Sequence, residues 1–175
     1  PALGILCHDG GRLSARLVGE AEGYNLLSRY GIPVPRFAIA TTEDEAAAAA
    51  GSIGYPVVMK VISAQIVHKS DAGGVVLSVP DEAGVRAAFR KIVAGAAAFS
   101  PAAIVDGVMV EQQLGKGLEL IVGGTIDPAF GKVITVGMGG KLVALLRDTG
   151  TRVLPIDESE ICQVIHELRG YTLIR

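Results

Sequence analysis

Apolar residues recur at helical intervals in four segments of the chain. The first segment begins at Leu13 and stops at Gly31, which is followed by two prolines within four residues that forbid continuation. The second opens with Thr42 and Glu45, spaced as in a capping box, and ends near Gly51. The other two helices are predicted after the cap residue Asp81 and over residues 157–169, from the apolar stripes Val85, Ala88, Phe89, Ile92, Val93 and Ile161, Val164, Ile165, Leu168.

Short apolar runs, rich in β-branched residues, predict the strands. These runs are RFAIA (36–40), PVVMKVI (56–62), GVVLSV (74–79), GVMVEQQL (107–114), LELIVGG (118–124), GKVITVG (131–137) and KLVALLR (141–147). From the first run to the fourth, the order is strand, helix, strand, strand, helix, strand, which is the split βαβ order of an α+β lobe. The last three runs are separated by Asp-Pro and Gly-Gly turns and predict an antiparallel meander.

Composition indicates an ordered chain without a nucleic-acid or membrane surface. Of the 175 residues, 50% are hydrophobic and 19% are charged, with a formal net charge of −2 and no polybasic run. No apolar stretch approaches the roughly 20 residues that span a bilayer. Cys7 and Cys162 are too far apart in sequence for a CxxC motif, which favours a cytoplasmic protein. Residues 1–12 show no periodic pattern of apolar residues and contain a Gly-Gly pair, so we expect a linker or the tail of an upstream domain.

Candidate chemistry concentrates around the connection between the second and third predicted strands. Lys60 interrupts an apolar strand, so it is predicted either to bind phosphate or to reach solvent from an edge position. The residues of the connection are His68, Lys69, Ser70 and Asp71, followed by Gly73 and Gly74. Paired glycines free backbone amides for an anion and the adjacent lysine adds charge, although the GxxxxGK[ST] spacing of a P-loop is absent.

His68 adds a nucleophile to this connection. A neutral imidazole accepts a phosphoryl group, and Asp71, three residues later, is a candidate to orient the ring. Zinc ligation is the weaker interpretation, because His8 and His166 are the only other histidines that could complete such a site. The histidine therefore favours phosphoryl transfer over metal binding.

Carboxylates and a second glycine-rich turn follow later in the chain. Glu111 and Glu119 stand at strand ends and are either solvated or in contact with a ligand. Asp148 is either a helix cap or a ligand of Mg²⁺, which prefers one or two carboxylates together with the phosphates of a nucleotide. The GMGG turn, with Gly139 and Gly140, is a second possible phosphate approach.

The order of these features resembles a known family. The segments YGIPVP, GYPVVMKV, HKSDAGGV and DPAFGKV resemble the ATP-grasp domain of the NDP-forming acyl-CoA synthetases. That family includes ADP-forming acetyl-CoA synthetase and is related to the β chain of succinyl-CoA synthetase. The resemblance covers residues 13–175 and implies an α+β ATP-grasp fold whose two lobes clasp ATP. We expect an N-terminal lobe at about 13–105 and a C-terminal lobe at about 106–175, with the abrupt end suggesting truncation.

The resemblance also implies roles for individual residues. Phosphate contacts would come from Lys60, Lys69, Ser70, Gly73 and Gly74, base contacts from Glu111 and Gln112, and further nucleotide contacts from Glu119, Gly139 and Gly140. Asp148 would hold magnesium, and His68, with Asp71 beside it, would carry the phosphoryl group to and from a separate domain. The implied cofactors are ATP or ADP and magnesium. The implied partners are CoA-binding and CoA-ligase domains, or an α-type subunit with a second phosphohistidine.

Ala144 departs from the family pattern. Members commonly have a glutamate four residues before the aspartate, whereas Ala144 stands at that distance from Asp148. The metal site is therefore expected to be incomplete or differently built, and a nucleotide sensor without turnover is the second hypothesis. A third, a ligase that joins a carboxylate to an amine, is disfavoured because such an enzyme needs no phosphoryl-carrying histidine.

Overall fold

The computed structural model describes residues 3–9, 12–66, 68–140 and 148–175. The chain divides into two compact units, Pro1–Leu114 and Gly115–Arg175. Each unit has its own sheet and helices, and the two are described separately below.

Unit 1 combines a hairpin, a four-stranded sheet and helices. Its strands are β1 (Leu3–Asp9), β2 (Arg12–Val18), β3 (Phe37–Ala40), β4 (Val57–Ile62), β5 (Val75–Val79) and β6 (Gly107–Gln112), and its helices are α1 (Glu20–Arg29), α2 (Glu43–Ile53) and α3 (Glu82–Phe99). The four-stranded sheet is antiparallel throughout, in the order β3, β6, β4, β5. Because β6 lies between β3 and β4, the split βαβ order predicted from the sequence is confirmed.

The start of unit 1 differs from the prediction. The helix expected from Leu13 begins only at Glu20, and residues 12–18 form β2, which pairs with β1 in an antiparallel hairpin. Residues 3–9, expected in a linker or tail, form the first strand of that hairpin. The physical reason is visible in the sequence, since Leu13 begins a strict alternation of apolar and polar residues up to Leu17, which is the period of a strand.

Helix caps and apolar burial explain why α2 and α3 form where they do. Thr42 and Glu45 make the predicted capping box, and the side chain of Asp81 accepts a hydrogen bond of 2.7 Å from the amide of Gly84. Both helices pack on the four-stranded sheet and against each other. The core between the helices and the sheet is built mainly from small and β-branched residues, among them Ala46, Ala50, Val57, Val61, Val85, Ala88, Ile92, Val108 and Val110, and it also contains Met59.

Unit 2 is a three-stranded antiparallel sheet with two helices in its described part. Its elements are β7 (Leu120–Asp127), β8 (Gly131–Met138), β9 (Thr149–Val153), α4 (Glu158–His166) and the short α5 (Tyr171–Ile174), with strand order β7, β8, β9. A small core forms between β8 and the helices at Val136, Val164 and Leu168. The meander strand predicted at residues 141–147 lies outside the described residues. The observed third strand, β9, was not predicted because its sequence TGTRV contains no apolar run.

The boundary between the units also differs from the expectation of about residue 105. It falls after Leu114, because β6 is hydrogen-bonded on both sides within the sheet of unit 1 and cannot belong to unit 2. In the part of the chain that the structure describes, no helix is both long and apolar enough to cross a membrane.

Candidate functional site

Lys60 lies in the middle of the four-stranded sheet and not at its edge. Strand β4 is flanked by β6 and β5, and 18% of the Lys60 side chain is exposed. Its Nζ atom lies 2.6 Å from Oε1 of Glu111 and 2.7 Å from Oε1 of Glu20. The alternative of an edge lysine is therefore wrong, and the anions that a buried ammonium needs are carboxylates of the chain itself.

Glu20, the first residue of α1, joins Lys60 to the connection after β4. One carboxylate oxygen accepts from Lys60, and the other, Oε2, lies 2.9 Å from Nζ of Lys69. The Tyr24 hydroxyl, one helical turn later, lies 3.1 Å from Oε1 of Glu20 and 3.3 Å from Oε2 of Glu111. We call these residues, Glu20, Tyr24, Lys60, Lys69 and Glu111, the lysine–carboxylate cluster.

The electrostatics of the lysine–carboxylate cluster keep Lys60 and Glu20 charged. Burial by itself raises the pKa of Glu20, but the hydrogen bonds from Lys60 and Lys69 outweigh it and lower that pKa to about 2. Burial by itself lowers the pKa of Lys60, but hydrogen bonds to Glu111 and Glu20 outweigh it and raise that pKa. Burial and the charge of Glu111 raise the pKa of the Tyr24 hydroxyl. Two ammonium groups thus face two carboxylates in a neutral arrangement.

Sequence reasoning did not single out Glu20 and Tyr24. In a helix that starts at Leu13, Glu20 stands in mid-helix, where a glutamate has no special meaning, and Tyr24 fits the apolar spacing of that helix. Gly19 is the sequence feature that could have indicated the position of Glu20. It ends the alternation of β2 and makes Glu20 the first helical residue, a position that favours a carboxylate because the helix dipole is positive there.

The connection after β4 folds into a compact turn that starts at His68. The carbonyl of His68 accepts from the amide of Asp71 at 3.1 Å, and the carbonyl of Lys69 accepts from the amide of Gly74 at 2.8 Å. His68, Ser70 and Asp71 are exposed, whereas Ala72 is buried. We call residues 68–74 the His68 turn. The ion pair of Lys69 with Glu20 ties this turn to the start of α1.

The two glycines serve the geometry of the His68 turn. Gly73 has a φ of +62°, which favours glycine, and a Cβ at Gly74 would lie 2.5 Å from Cγ1 of Val61. Their amides donate to the carbonyls of Ser70 and Lys69. The sequence argument that these glycines leave amides free for an anion is therefore wrong in this conformation, and the charge available to an anion comes from the lysines.

A cleft of about 230 Å³ opens beside the lysine–carboxylate cluster. Its walls are the start of α1 at Gly19 and Ala21, the segment 62–66, and the side of the sheet at Met109, with Glu20 and Lys69 among its polar residues. Glu20 and Lys69, which form an ion pair, therefore both line a cavity within unit 1.

Residues at the end of β6 make more contacts within the protein than the sequence suggested. Glu111 is 6% exposed and paired with Lys60, so of the two alternatives for this strand-end carboxylate, the solvated one is wrong. The amide of Gln112 donates to the carbonyl of Arg36 at 2.8 Å, continuing the sheet by one more bond. Next along the chain, the side chain of Gln113 accepts from the amide of Ser78 at 2.7 Å, which anchors this segment to β5.

In unit 2, Glu119 lies against the GMGG turn. The amide of Gly139 donates to the carbonyl of Glu119 at 2.6 Å, and a Cβ at Gly139 would lie 2.7 Å from the carbonyl carbon of Glu119. Gly140 has a φ of +78°, and a Cβ there would lie 3.6 Å from the Glu119 carboxylate. The structure thus brings together Glu119, Gly139 and Gly140, the three residues of this unit for which the resemblance implies further nucleotide contacts.

Asp148 holds the backbone at the end of unit 2. It is 8% exposed, and its two carboxylate oxygens accept hydrogen bonds of 2.8 Å each from the amides of Arg169 and Gly170. Within the described residues, no group of three or more His, Cys, Asp or Glu side chains is arranged to hold a metal ion. Ala144 lies outside the described residues.

These features agree with a family known from sequence. The chain matches the family described as "ATP-grasp domain" over residues 12–175. It is 43% identical over 155 residues to the beta subunit of ADP-forming acetate–CoA ligase I of Pyrococcus furiosus, which covers 89% of this chain and 67% of that subunit. It is 44% identical over 170 residues to ADP-forming acetate–CoA ligase I of Archaeoglobus fulgidus, covering 97% of this chain and 24% of that protein. The chain belongs to the ATP-grasp domain family, as the motifs predicted.

Solved structures agree with this assignment. A dinucleotide-forming acetyl-coenzyme A synthetase 1 of Ca. Korarchaeum cryptofilum, in complex with coenzyme A, Ca-AMPCP and HgCl+, superposes with a TM-score of 0.84 at 40% identity, covering 87% of this chain and 67% of that chain. The same protein with coenzyme A and Mg-AMPPCP, its phosphohistidine segment pointing towards the nucleotide-binding site, gives a TM-score of 0.73 at 37% identity, covering 88% and 65%. The α+β ATP-grasp fold is therefore confirmed.

Proposed function

We propose that this chain is the nucleotide-binding and phosphoryl-transferring part of an ADP-forming acyl-CoA synthetase, in which His68 carries the phosphoryl group. The observation that supports it most strongly is that Lys60, on strand β4, and Lys69, in the His68 turn, converge on one anionic group, at 2.7 Å and 2.9 Å from Glu20. Two positive charges that converge on one anion, together with an exposed nucleophile next to Lys69 in sequence, are what a phosphoryl-transfer site requires.

The chain's own residues account for binding and positioning. Lys60, fixed on a central strand, and Lys69, in the His68 turn, would hold phosphate oxygens, with Ser70 exposed beside them. Glu119, Gly139 and Gly140 of unit 2 would supply further nucleotide contacts. Because Glu111 and the Gln112 amide are already engaged, we assign base contacts in this segment to the Gln112 carbonyl and the main chain after it.

The transfer step involves one bond made and one bond broken. An unprotonated imidazole nitrogen of His68 attacks the γ-phosphorus of ATP, the bond from that phosphorus to the bridging oxygen breaks, and ADP leaves with the electron pair. The reverse step forms ATP from phosphohistidine and ADP. The lysines lower the barrier by neutralising charge on the phosphate oxygens, and Asp71 is exposed on the same turn as a candidate to orient the ring.

Magnesium would be held by the nucleotide more than by the protein. Mg²⁺ usually binds one or two carboxylates plus substrate phosphates, so a single carboxylate such as Asp148 suffices as the protein's share. Asp148 retains lone pairs for an ion while it accepts its two backbone hydrogen bonds. When bound, magnesium would neutralise phosphate charge.

The complete reaction needs more than this chain. The chain spans 67% of the P. furiosus beta subunit and 24% of the A. fulgidus protein. We therefore propose that CoA-binding and CoA-ligase domains, in the same polypeptide or in an α-type subunit, form the acyl phosphate and exchange the phosphoryl group with His68. The overall reaction would be acyl-CoA, ADP and phosphate to acid, CoA and ATP, in the cytoplasm.

Phosphoenzyme labelling tests this function. The protein is incubated with γ-labelled ATP and magnesium and assayed for acid-labile, base-stable phosphate, in parallel with His68→Ala and the control His166→Ala, which alters an exposed histidine of unit 2. We expect label in the wild type and in His166→Ala, and none in His68→Ala. Label that survives in His68→Ala would exclude the carrier role, and nucleotide binding without any phosphoenzyme would favour the sensor hypothesis.

A further inference from the structure

The lysine–carboxylate cluster contains an anion that the proposed function does not explain. The two oxygens of Glu20 point at two different ammonium groups, Lys60 at 2.7 Å and Lys69 at 2.9 Å. This is the way in which two oxygens of one phosphate would engage the same pair. A nucleotide phosphate that engages both lysines in this geometry would therefore compete with the Glu20 carboxylate for the same ammonium groups.

We infer that Glu20 is an internal counterion that holds both lysines and the His68 turn in the nucleotide-free protein and is exchanged for nucleotide phosphate on binding. This inference rests on the proposed function and adds a positioning residue to it. Lys60 also pairs with Glu111 at 2.6 Å, so it stays compensated when Glu20 departs. The exchange therefore breaks chiefly the ion pair between Lys69 and Glu20.

Release of Lys69 has a consequence for His68, its immediate neighbour. The Lys69 side chain ties the turn to the first residue of α1, which comes 49 positions earlier in the chain. The rest of the turn is closed by its own backbone bonds, such as the 2.8 Å bond from the Gly74 amide to the Lys69 carbonyl. When phosphate replaces Glu20, the turn loses its tie to α1 while keeping its internal shape. Arrival of nucleotide is thereby coupled to release of the segment that carries His68.

The charge balance of the cluster predicts a direction of change in ADP affinity that a merely structural role of Glu20 would not predict. Two lysines face two glutamates, so Glu20→Gln leaves one excess positive charge and removes the anion that competes with phosphate. We expect the Kd for ADP, measured by calorimetry on the full chain, to fall by at least about fivefold in Glu20→Gln, a typical size for a coupling between two binding events. Loss of a purely structural residue would weaken binding instead.

Two further variants separate charge from shape. Glu20→Asp keeps the charge but shortens the side chain by one methylene, so it cannot bridge both ammonium groups, and its Kd for ADP is expected to stay nearer the wild type than that of Glu20→Gln. Glu82→Gln removes an exposed carboxylate that pairs with Arg86 on α3, and it is expected to leave the Kd unchanged. An equal gain in Glu20→Asp and Glu20→Gln would overturn the inference, because the competing charge would not be the cause.

Amide hydrogen exchange tests whether loss of the Glu20 carboxylate releases the His68 turn. Without nucleotide, the amides of residues 68–74 are expected to exchange faster in Glu20→Gln and Glu20→Asp than in the wild type and in Glu82→Gln. Unchanged exchange, or ADP binding by Glu20→Gln that is equal to or weaker than wild-type binding, overturns the role of Glu20 but leaves the proposed function standing. Absence of ADP and ATP binding by the wild type overturns the proposed function, and the inference with it.

Discussion

Protonation of Glu20 should measurably weaken unit 1. Its pKa is held at about 2, against an ordinary value of 4.5, by Lys60 and Lys69 acting against burial. Because the folded pKa lies below the unfolded one, the ionised carboxylate contributes its full stabilisation above about pH 4.5, and this contribution is lost as the pH falls from 4.5 towards 2. The pH dependence therefore belongs to the acid range and is absent near neutrality.

The size of the stabilisation by ionised Glu20 follows from the same pKa shift. The difference between 4.5 and about 2, at about 1.4 kcal/mol for each pKa unit, sets a ceiling of about 3 to 4 kcal/mol. The Glu20 side chain is 16% exposed, and screening by solvent at such a site reduces the expectation to about 2 kcal/mol. This is a large share of the 5 to 15 kcal/mol that, roughly, stabilises a natural domain.

Urea unfolding followed by circular dichroism tests this value. Wild type and Glu20→Gln are compared at pH 7 and at pH 3, with Glu82→Gln as the matched control. We expect Glu20→Gln to lose about 2 kcal/mol at pH 7 and clearly less at pH 3, and the exposed control to lose no more than about 0.5 kcal/mol at either pH. A deficit of Glu20→Gln that is equal at both pH values would refute the argument, since the stabilisation would then not come from the ionised carboxylate. A carbon NMR titration of the Glu20 carboxyl group measures the pKa directly.

Two other predictions concern close contacts and buried hydrogen bonds. Gly74→Ala places a Cβ at 2.5 Å from Cγ1 of Val61, so we expect a loss of about 1 to 3 kcal/mol in unfolding free energy and weaker ADP binding, whereas Gly115→Ala, with open space around its Cβ, should change neither. Asp148→Asn turns one acceptor towards a backbone amide into a donor, so we expect a loss of about 1 to 3 kcal/mol and faster exchange of the Gly170 amide, whether or not magnesium is present. Wild-type stability in either variant, by the same urea unfolding, would contradict the contacts described.

Local patterns predicted most of the elements of unit 1. The Thr42 capping box, the Asp81 cap and the β-branched runs of β4 and β6 were readable because each depends on residues within a few positions of one another. The strand β2 was also readable in principle, since its alternation is local, but the apolar residues of the adjoining helix α1 obscured it. In unit 2, β9 was missed because its sequence, TGTRV, contains no apolar run, and its residues are exposed or only partly buried.

The candidate site was predictable only in part. His68, Lys69 and the two glycines stand together in sequence, and Lys60 was conspicuous as a charge within an apolar strand. Glu20, the common partner of Lys60 and Lys69, was not predicted, because an ordinary glutamate near the start of a helix gives no indication of what it will face. Glu111 was predicted as a candidate, but its burial and its ion pair with Lys60 were not.

The sequence by itself determined the periodic elements, the caps and the chemistry of the His68 turn, all of which arise from short-range steric and hydrogen-bonding preferences. Only the tertiary structure decided that Glu20 meets Lys60 and Lys69, which lie 40 and 49 positions away. That meeting depends on the register of β4 against β6 and on the position of α1. Packing of the whole unit sets both, because the free energy of a buried ion pair is gained only when distant elements close around it.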